Sequence, residues 1–305
     1  MHKLLYYGFV YPISLLPLSV LYLLRPGLFF LLYHALGYRK KVVLENLRKS
    51  FPELHERERL QKAKAFYWHL SALLVEAIKN LSFSGSALRQ RIHYSNASLV
   101  LDLQQQGHNV LLVGGHYGNW EWLITSLGLH FTKNLYGLGM PLTSSFWQQK
   151  LTERRERFGL KVIHSHNYRE VLRSQENQPF VLLMLADQSP GDSKKSYWME
   201  FLQQPTAVAF GTELLANEMN AIPVVVSLNK VGKGAYEVHF EKLTDTPKML
   251  KFGTLTEDFT RRLESKIHED SSLWLWSHKR WKREVPEGLE SLRNAQEQRF
   301  NQKYR

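Results

Sequence analysis

No cysteine occurs among the 305 residues. Its absence excludes a disulfide framework, thiolate catalysis and any zinc or iron–sulfur site built on Cys, and it fits a reducing compartment. Internal repeats, low-complexity tracts and a Pro/Gly/Ser-rich linker are missing too, which excludes collagen-like and disordered classes. Acidic residues are scarce: 28 Asp plus Glu stand against 40 Lys plus Arg, a net charge of +12. That excess predicts attraction to an anionic partner, whether nucleic acid, a lipid surface or an acidic protein. The basic residues follow no recognised nucleic-acid module, so no nucleic-acid partner is expected.

Charge is absent from one stretch in particular. Between Leu4 and Leu24 there is no charged residue, and a helix of that length spans roughly 30 Å, about the hydrocarbon thickness of a bilayer. Tyr6, Tyr7, Tyr11, Tyr22 and Tyr33 suit a membrane–water interface. Pro12 and Pro17 argue against a straight helix, although membrane helices tolerate proline. Arg25-Pro26-Gly27 is read as the break, followed by a second apolar piece from Leu28 to Leu36 and by Arg39-Lys40-Lys41. A cleaved signal peptide would have only Lys3 as its positive start and shows no small-residue cleavage site. A buried amphipathic helix would not be apolar all round. The segment therefore reads as a membrane anchor, spanning or re-entrant, with the Lys/Arg excess behind it placing the main body in the cytoplasm.

The expected organisation is an anchor with its basic flank over residues 1–41 and one catalytic-sized body over 42–305. A helix is expected over 53–81. Strands are expected at Val110–Val113, Leu135–Gly139, Lys161–His164, Phe180–Leu185, Pro223–Leu228 and Tyr236–Phe240. Between them fall helical patterns at Trp120–Leu129, Ser144–Phe158, Tyr168–Gln175 and Val208–Met219. Strand and helix alternating in this way predict an α/β fold, a mostly parallel central sheet flanked by helices.

One segment carries chemistry: Val110-Leu-Leu-Val-Gly-Gly-His116-Tyr117-Gly118-Asn119-Trp120-Glu121. An apolar strand runs into two glycines and a histidine, and a glutamate follows five positions later at a helix start. Active groups in open α/β sheets gather at the carboxyl ends of strands. His116 suits a general base that deprotonates a hydroxyl, and Glu121 a carboxylate that orients the imidazole. The spacing is not that of a metal motif, and neither a metal nor a cofactor is expected. From spacing alone the histidine could equally be an ordinary, satisfied loop residue.

The block G-G-H-Y-G-N-W-E resembles the H-x4-E signature of the bacterial lipid A late acyltransferases, within the wider lysophospholipid acyltransferase group. The likeness extends over the N-terminal anchor, the stretch Val42–Leu54, Arg154-Arg155-Glu156-Arg157-Phe158-Gly159, Ala186-Asp187-Gln188 and the late block from Trp274 to Lys282. It implies a glycerolipid acyltransferase-like fold and acyl transfer from an acyl carrier protein thioester to a hydroxyl of a lipid A precursor at the bacterial inner membrane. An aminolipid or lysophospholipid acceptor is the alternative. His116 would be the base and Glu121 its partner. Arg155, with Arg154 or Arg157 as register alternatives, would bind a phosphate. Asp187 would orient Arg155 or a substrate group, and Gln188 and Asn119 would lie in the same substrate-binding region. Met140 stands where relatives carry an Arg, and Ser193–Leu202 departs from their Phe/Gly-rich stretch; both bear on acceptor and donor identity rather than on reaction type.

Overall fold

The computed structural model describes residues 2–174 and 178–305. Its centre is a seven-stranded sheet in the order β1-β9-β8-β2-β5-β3-β4, where β1 is Ile92–Tyr94, β2 Asn109–Gly114, β3 Leu135–Gly139, β4 Lys161–His164, β5 Val181–Leu185, β8 Ala221–Gly232 and β9 Ala235–Lys242. Within this sheet, among the described residues, the β8–β9 hairpin is antiparallel and the other pairings are parallel. The central strands are unbroken apolar runs because helices cover both faces. Alternate residues serve opposite layers, as the two-residue period requires. Val110, Leu112, Val181 and Leu183 face one core, and Leu111, Val113 and Leu182 the other.

The six expected strands all form, two with the expected bounds and the others within four residues at each end. Three strands escape the sequence pattern, as do the helices Lys40–Ser50, Ser98–Gln105, Thr254–Glu269 and Leu289–Tyr304. β1 is only three residues long, and β6 (Tyr197–Phe201) and β7 (Gln204–Val208) make a separate antiparallel hairpin. Its turn places Leu202 and Gln203 at φ 50° and 61°, a conformation usually signalled by Gly, Asn or Asp, so no turn is legible there. Val208 consequently ends a strand, and the helix expected from that residue runs Gly211–Glu218. The expected helix Tyr168–Gln175 is observed as Tyr168–Arg173, with Gln175 outside the described residues.

The long helix Glu56–Asn80 forms where expected. His55 and Glu58 close a capping box at its start, satisfying amide groups that would otherwise lack partners. Against it packs the N-terminal segment, whose geometry differs from the expected single run. Residues 2–15 are helical, Leu16 and Pro17 are extended (ψ 149° and 143°), and helix resumes over 18–35. Pro17 has no amide to continue the first piece and pushes Leu16 out of the helical region. Arg25-Pro26-Gly27, read above as the break, lies inside the second piece. A 3₁₀ turn at Tyr22–Leu24 precedes the proline, so its missing amide and rigid φ sit at a helical start, where they are tolerated. Arg25 donates two hydrogen bonds to the Trp68 carbonyl at 3.1 and 2.9 Å and stacks 4.0 Å over the Trp68 ring.

Residues 18–35 are long and apolar enough to cross a membrane, and only 22% of that window is buried in the protein. Leu4, Phe9, Leu15, Leu23, Phe30 and Leu36 present exposed apolar side chains, while Leu18, Leu21 and Tyr22 are buried in the core beneath the sheet. The segment therefore serves two surfaces at once.

Candidate active site

Parallel register builds the site. β2 and β5 are neighbours, with Gly114 opposite Leu185, and the Ala186 amide donates to the Gly114 carbonyl at 2.9 Å. Two residues beyond that pair on each strand stand His116 and Asp187, so the same pleat brings them together at the carboxyl edge of the sheet. His116 Nδ1 and Asp187 Oδ1 are 2.6 Å apart. Asp187 Oδ2 accepts from the His116 amide at 2.9 Å and from Trp274 Nε1 at 2.8 Å. The glycines before His116 permit this approach: a Cβ at Gly115 would lie 3.0 Å from Leu263 and 3.3 Å from Asp187 Oδ2.

Burial pushes the Asp187 carboxyl up, but the adjoining His116 ring and the hydrogen bonds from His116 and Trp274 outweigh it and hold the group down to about 2. Asp187 is therefore an acceptor at neutral pH, and the shared proton belongs on His116 Nδ1. Nε2 keeps its lone pair, facing Gln188 Nε2 at 3.1 Å. That tautomer is the one a general base needs.

Glu121 occupies a different position from the one its spacing suggests. It lies in the first turn of the helix Trp120–Leu127 and is held by the helix Ser145–Glu156. Arg154 Nη2 donates to its Oε2 at 2.7 Å, and Arg155 binds both oxygens, at 3.2 and 2.6 Å. Burial would raise the Glu121 carboxyl, yet the two guanidinium groups hold it down to about 2. The carboxylate that holds His116 is Asp187, which the sequence reading assigns to Arg155 or to substrate. Glu121 instead neutralises one of two arginines and leaves the trio with one net positive charge.

The remaining candidates divide. Gln188 reaches His116 as described. Asn119 is buried; its Oδ1 accepts from the Trp122 amide at 2.9 Å as a helix cap, and its Nδ2 donates to Glu76 at 2.5 Å. Both ends of that amide are engaged inside the protein, and the residue also lines the apolar cavity beside this centre. Arg157 donates to the Leu81 carbonyl at 2.9 Å at the end of the long helix. Trp274, given no role by the sequence reading, is the second donor to Asp187, and its block is bound tightly to the rest of the site. Gly118, at φ 62°, donates to the Leu273 carbonyl at 3.0 Å. Asn46 Nδ2 meets the carbonyls of Trp276 and His278 at 2.9 and 3.0 Å.

An apolar cavity of about 440 Å³ opens beside this centre, lined by Leu32, Leu70, Leu73, Trp120, Glu121 and His278 among others. Trp120 connects it to His116, the two ring centroids 5.3 Å apart. A second cavity, of about 400 Å³, shares the Leu74 and Ala77 wall and reaches Tyr6, Val10 and Leu28 of the N-terminal segment, with Arg154 on its rim. Burial lowers His278 to about 4, so that side chain adds no charge to the cavity at neutral pH. Glu121 and Arg154 thus stand where the two apolar grooves meet, and the His116 ring touches that wall through Trp120.

Residues 1–283 match the family described as "Bacterial lipid A biosynthesis acyltransferase". The chain belongs to that family. It is also 23% identical over 286 residues, covering 93% of this chain and 92% of the relative, to the lipid A biosynthesis lauroyltransferase of Escherichia coli (strain K12). The resemblance read from the ordered motifs is thereby shown across nearly the whole length, and with it an acyltransferase whose α/β sheet carries the motif residues at one edge.

Proposed function

We propose that the protein is a membrane-bound O-acyltransferase that moves a fatty acyl chain from an acyl carrier protein thioester to a hydroxyl of a lipid A precursor. The observation that carries this reading is the His116–Asp187 pair, its Nε2 turned away from Asp187 toward Gln188 and its ring in contact with Trp120 of the apolar groove. In the proposed step, His116 Nε2 takes the proton of the acceptor hydroxyl as its oxygen attacks the thioester carbonyl. Asp187 holds the ring and stabilises the imidazolium. When the tetrahedral intermediate collapses, the carbon–sulfur bond breaks and His116 returns the proton to the leaving thiolate. The products are an ester and a free thiol. The net positive charge of the Glu121–Arg154–Arg155 trio is available to a phosphate of donor or acceptor. Acyl chains have a place along Leu70, Leu73, Leu74 and Ala77.

The exposed apolar side chains of residues 2–36 favour a membrane site. The grooves open against the same segment, so a lipid can enter from the bilayer without crossing water. Arg39, Lys40 and Lys41 just beyond it favour a bacterial inner membrane with the catalytic body on the cytoplasmic side. For the carrier protein, which is acidic, the available cations are the exposed Lys194, Lys195, Lys279 and Lys282. Arg154 and Arg155 already face Glu121, and Arg280 is buried with its Nη1 on the Ala207 carbonyl at 2.7 Å.

Mass spectrometry of total lipids after deleting and restoring the gene tests the acceptor. A lipid A species lacking one secondary chain supports the proposal, and a changed aminolipid or phospholipid with intact lipid A overturns it. The donor is tested by supplying one acyl chain on the carrier protein and on coenzyme A at two salt concentrations. Faster, salt-sensitive turnover with the carrier protein is expected; equal or better turnover with coenzyme A refutes that half.

A further inference from the structure

Glu76 is a fully buried carboxylate on the long helix, and the chemistry above makes no use of it. Three donors from three separate elements converge on it. Asn119 Nδ2 reaches Oε2 at 2.5 Å and the Tyr236 hydroxyl of β9 reaches the same oxygen at 2.9 Å. The Tyr22 hydroxyl of the N-terminal segment donates to Oε1. The Glu76 backbone carbonyl takes a fourth bond, from Trp122 Nε1 at 3.0 Å. Burying a carboxylate is costly unless it is fully hydrogen-bonded, so removing one donor disturbs the others.

What this cluster holds is the turn that carries the base. Residues 116–119 are mounted from several elements, and the Tyr117 hydroxyl also reaches the carbonyls of Lys266 and Asp270 at 3.0 and 3.1 Å. Asp187 fixes the His116 amide, the late tryptophan block pairs with Tyr117 and Gly118, and Glu76 fixes Asn119. The mount at Glu76 leads into the N-terminal helical segment itself, through the Tyr22 hydroxyl, while the tryptophan block meets only the basic flank beyond it, where Arg39 donates to the Ser277 carbonyl at 3.0 Å. Resting on the acyl-transfer reading above, we propose that Glu76 is a positioning residue for the His116 turn. Through Asn119 on one side and Tyr22 on the other, it makes a correctly seated N-terminal segment a condition for catalysis. The segment is then part of the site's framework as well as its contact with lipid.

The test separates this tether from the helix cap that Asn119 also supplies. Asn119→Ser keeps a good cap but cannot reach Glu76, and Tyr22→Phe removes only the hydroxyl. In full-length protein purified in detergent, Asn119→Ser is expected to lower kcat about 10-fold and Tyr22→Phe somewhat less, with both KM values unchanged. Such losses are well inside the roughly 100-fold that a 1 Å misplacement costs. Because both act through one carboxylate, the double variant should be scarcely slower than Asn119→Ser alone. Glu76→Gln, whose amide oxygen still accepts from Asn119 and Tyr236, should retain most of kcat, and Glu76→Leu should not. A purely structural role would lower Tm and leave kcat per folded molecule untouched. Unchanged kcat in both single variants, or losses that multiply in the double, overturns the inference. His116→Ala run alongside keeps the two readings apart. If it still turns over, the proposed chemistry is wrong; if it is dead while Asn119→Ser and Tyr22→Phe are fully active, only the tether is.

Discussion

Asp187→Asn is the substitution that the site geometry judges most sharply. Oδ2 faces two obligate donors, the His116 amide at 2.9 Å and Trp274 Nε1 at 2.8 Å. In the variant the amide oxygen must take that side, because an NH₂ there would oppose both donors and leave them unpaired, at about 1–3 kcal/mol each. The NH₂ is thereby forced toward His116 Nδ1, 2.6 Å away in the native protein. Nδ1 must then accept, the ring proton moves to Nε2, and the base has lost its lone pair where the acceptor hydroxyl arrives. The packing is unchanged, so the fold should survive while kcat drops by about 10³–10⁴, the scale for a base held in the wrong tautomer. Single-turnover acyl transfer in detergent micelles, with Tm and near-ultraviolet circular dichroism as folding controls, measures it. Glu121→Gln is the comparison: it frees two arginines but leaves the imidazole tautomer alone, so its loss should fall in substrate binding more than in kcat. Near-normal kcat in folded Asp187→Asn, beside a collapse of kcat in Glu121→Gln, would refute the assignment and restore Glu121 as the orienting carboxylate.

Other consequences follow from the same contacts. Deleting residues 1–36 removes Leu18, Leu21 and Tyr22 and exposes the core side chains that they cover, at about 1.5–3 kcal/mol for each large apolar side chain whose burial is lost. The remainder should aggregate instead of forming a soluble body, and a monodisperse, cooperatively unfolding fragment would contradict this. Ala77→Phe narrows the wall common to both grooves, so donors with shorter chains should become preferred; an unaltered chain-length profile counts against acyl chains lying there. Glu121 is held below the unfolded carboxylate value, so its pairing stabilises the native state above about pH 4.3 and that stability is lost as pH falls toward about 2. The gap in urea midpoint between wild type and Glu121→Gln should therefore close on acidification. Transfer should persist in EDTA, since a hydroxyl nucleophile needs only a base; loss restored by one divalent ion would overturn the mechanism.

The sheet was largely legible because its strands are short apolar runs buried on both faces, and such runs need no partner to be recognised. β1 has three residues, too few for a pattern, and the β6–β7 turn uses Leu202 and Gln203 where turn chemistry would advertise itself with glycine or asparagine. The N-terminal segment misleads for a related reason. Proline marks a break only where the backbone needs the missing amide. Pro17 is extended and, with Leu16, separates two helical pieces, whereas Pro26 follows a 3₁₀ turn and opens a new helical stretch. Identical residues thus act oppositely, and only the preceding turn decides which way.

The active site divides along the same line between local and distant information. Everything within one element was readable: the strand ending in two glycines, the histidine after it, the carboxylate in the first turn of the next helix. The partner of His116 was not, because it depends on which strand lies beside β2. Chain order gives no hint that β5 is that neighbour, with β3 and β4 beyond it. Once the pairing of Gly114 with Leu185 is known, counting two residues along each strand yields His116 and Asp187 directly. Both segments carry the same signature, an apolar run that ends in small residues and then a polar one: Val-Gly-Gly-His and Met-Leu-Ala-Asp. Spacing along the chain therefore nominates Glu121, while the shared register nominates Asp187. The arginines decide between them physically. A carboxylate already bound by two guanidinium groups is a weak acceptor for an imidazolium, whereas Asp187 has only neutral donors besides the ring it holds.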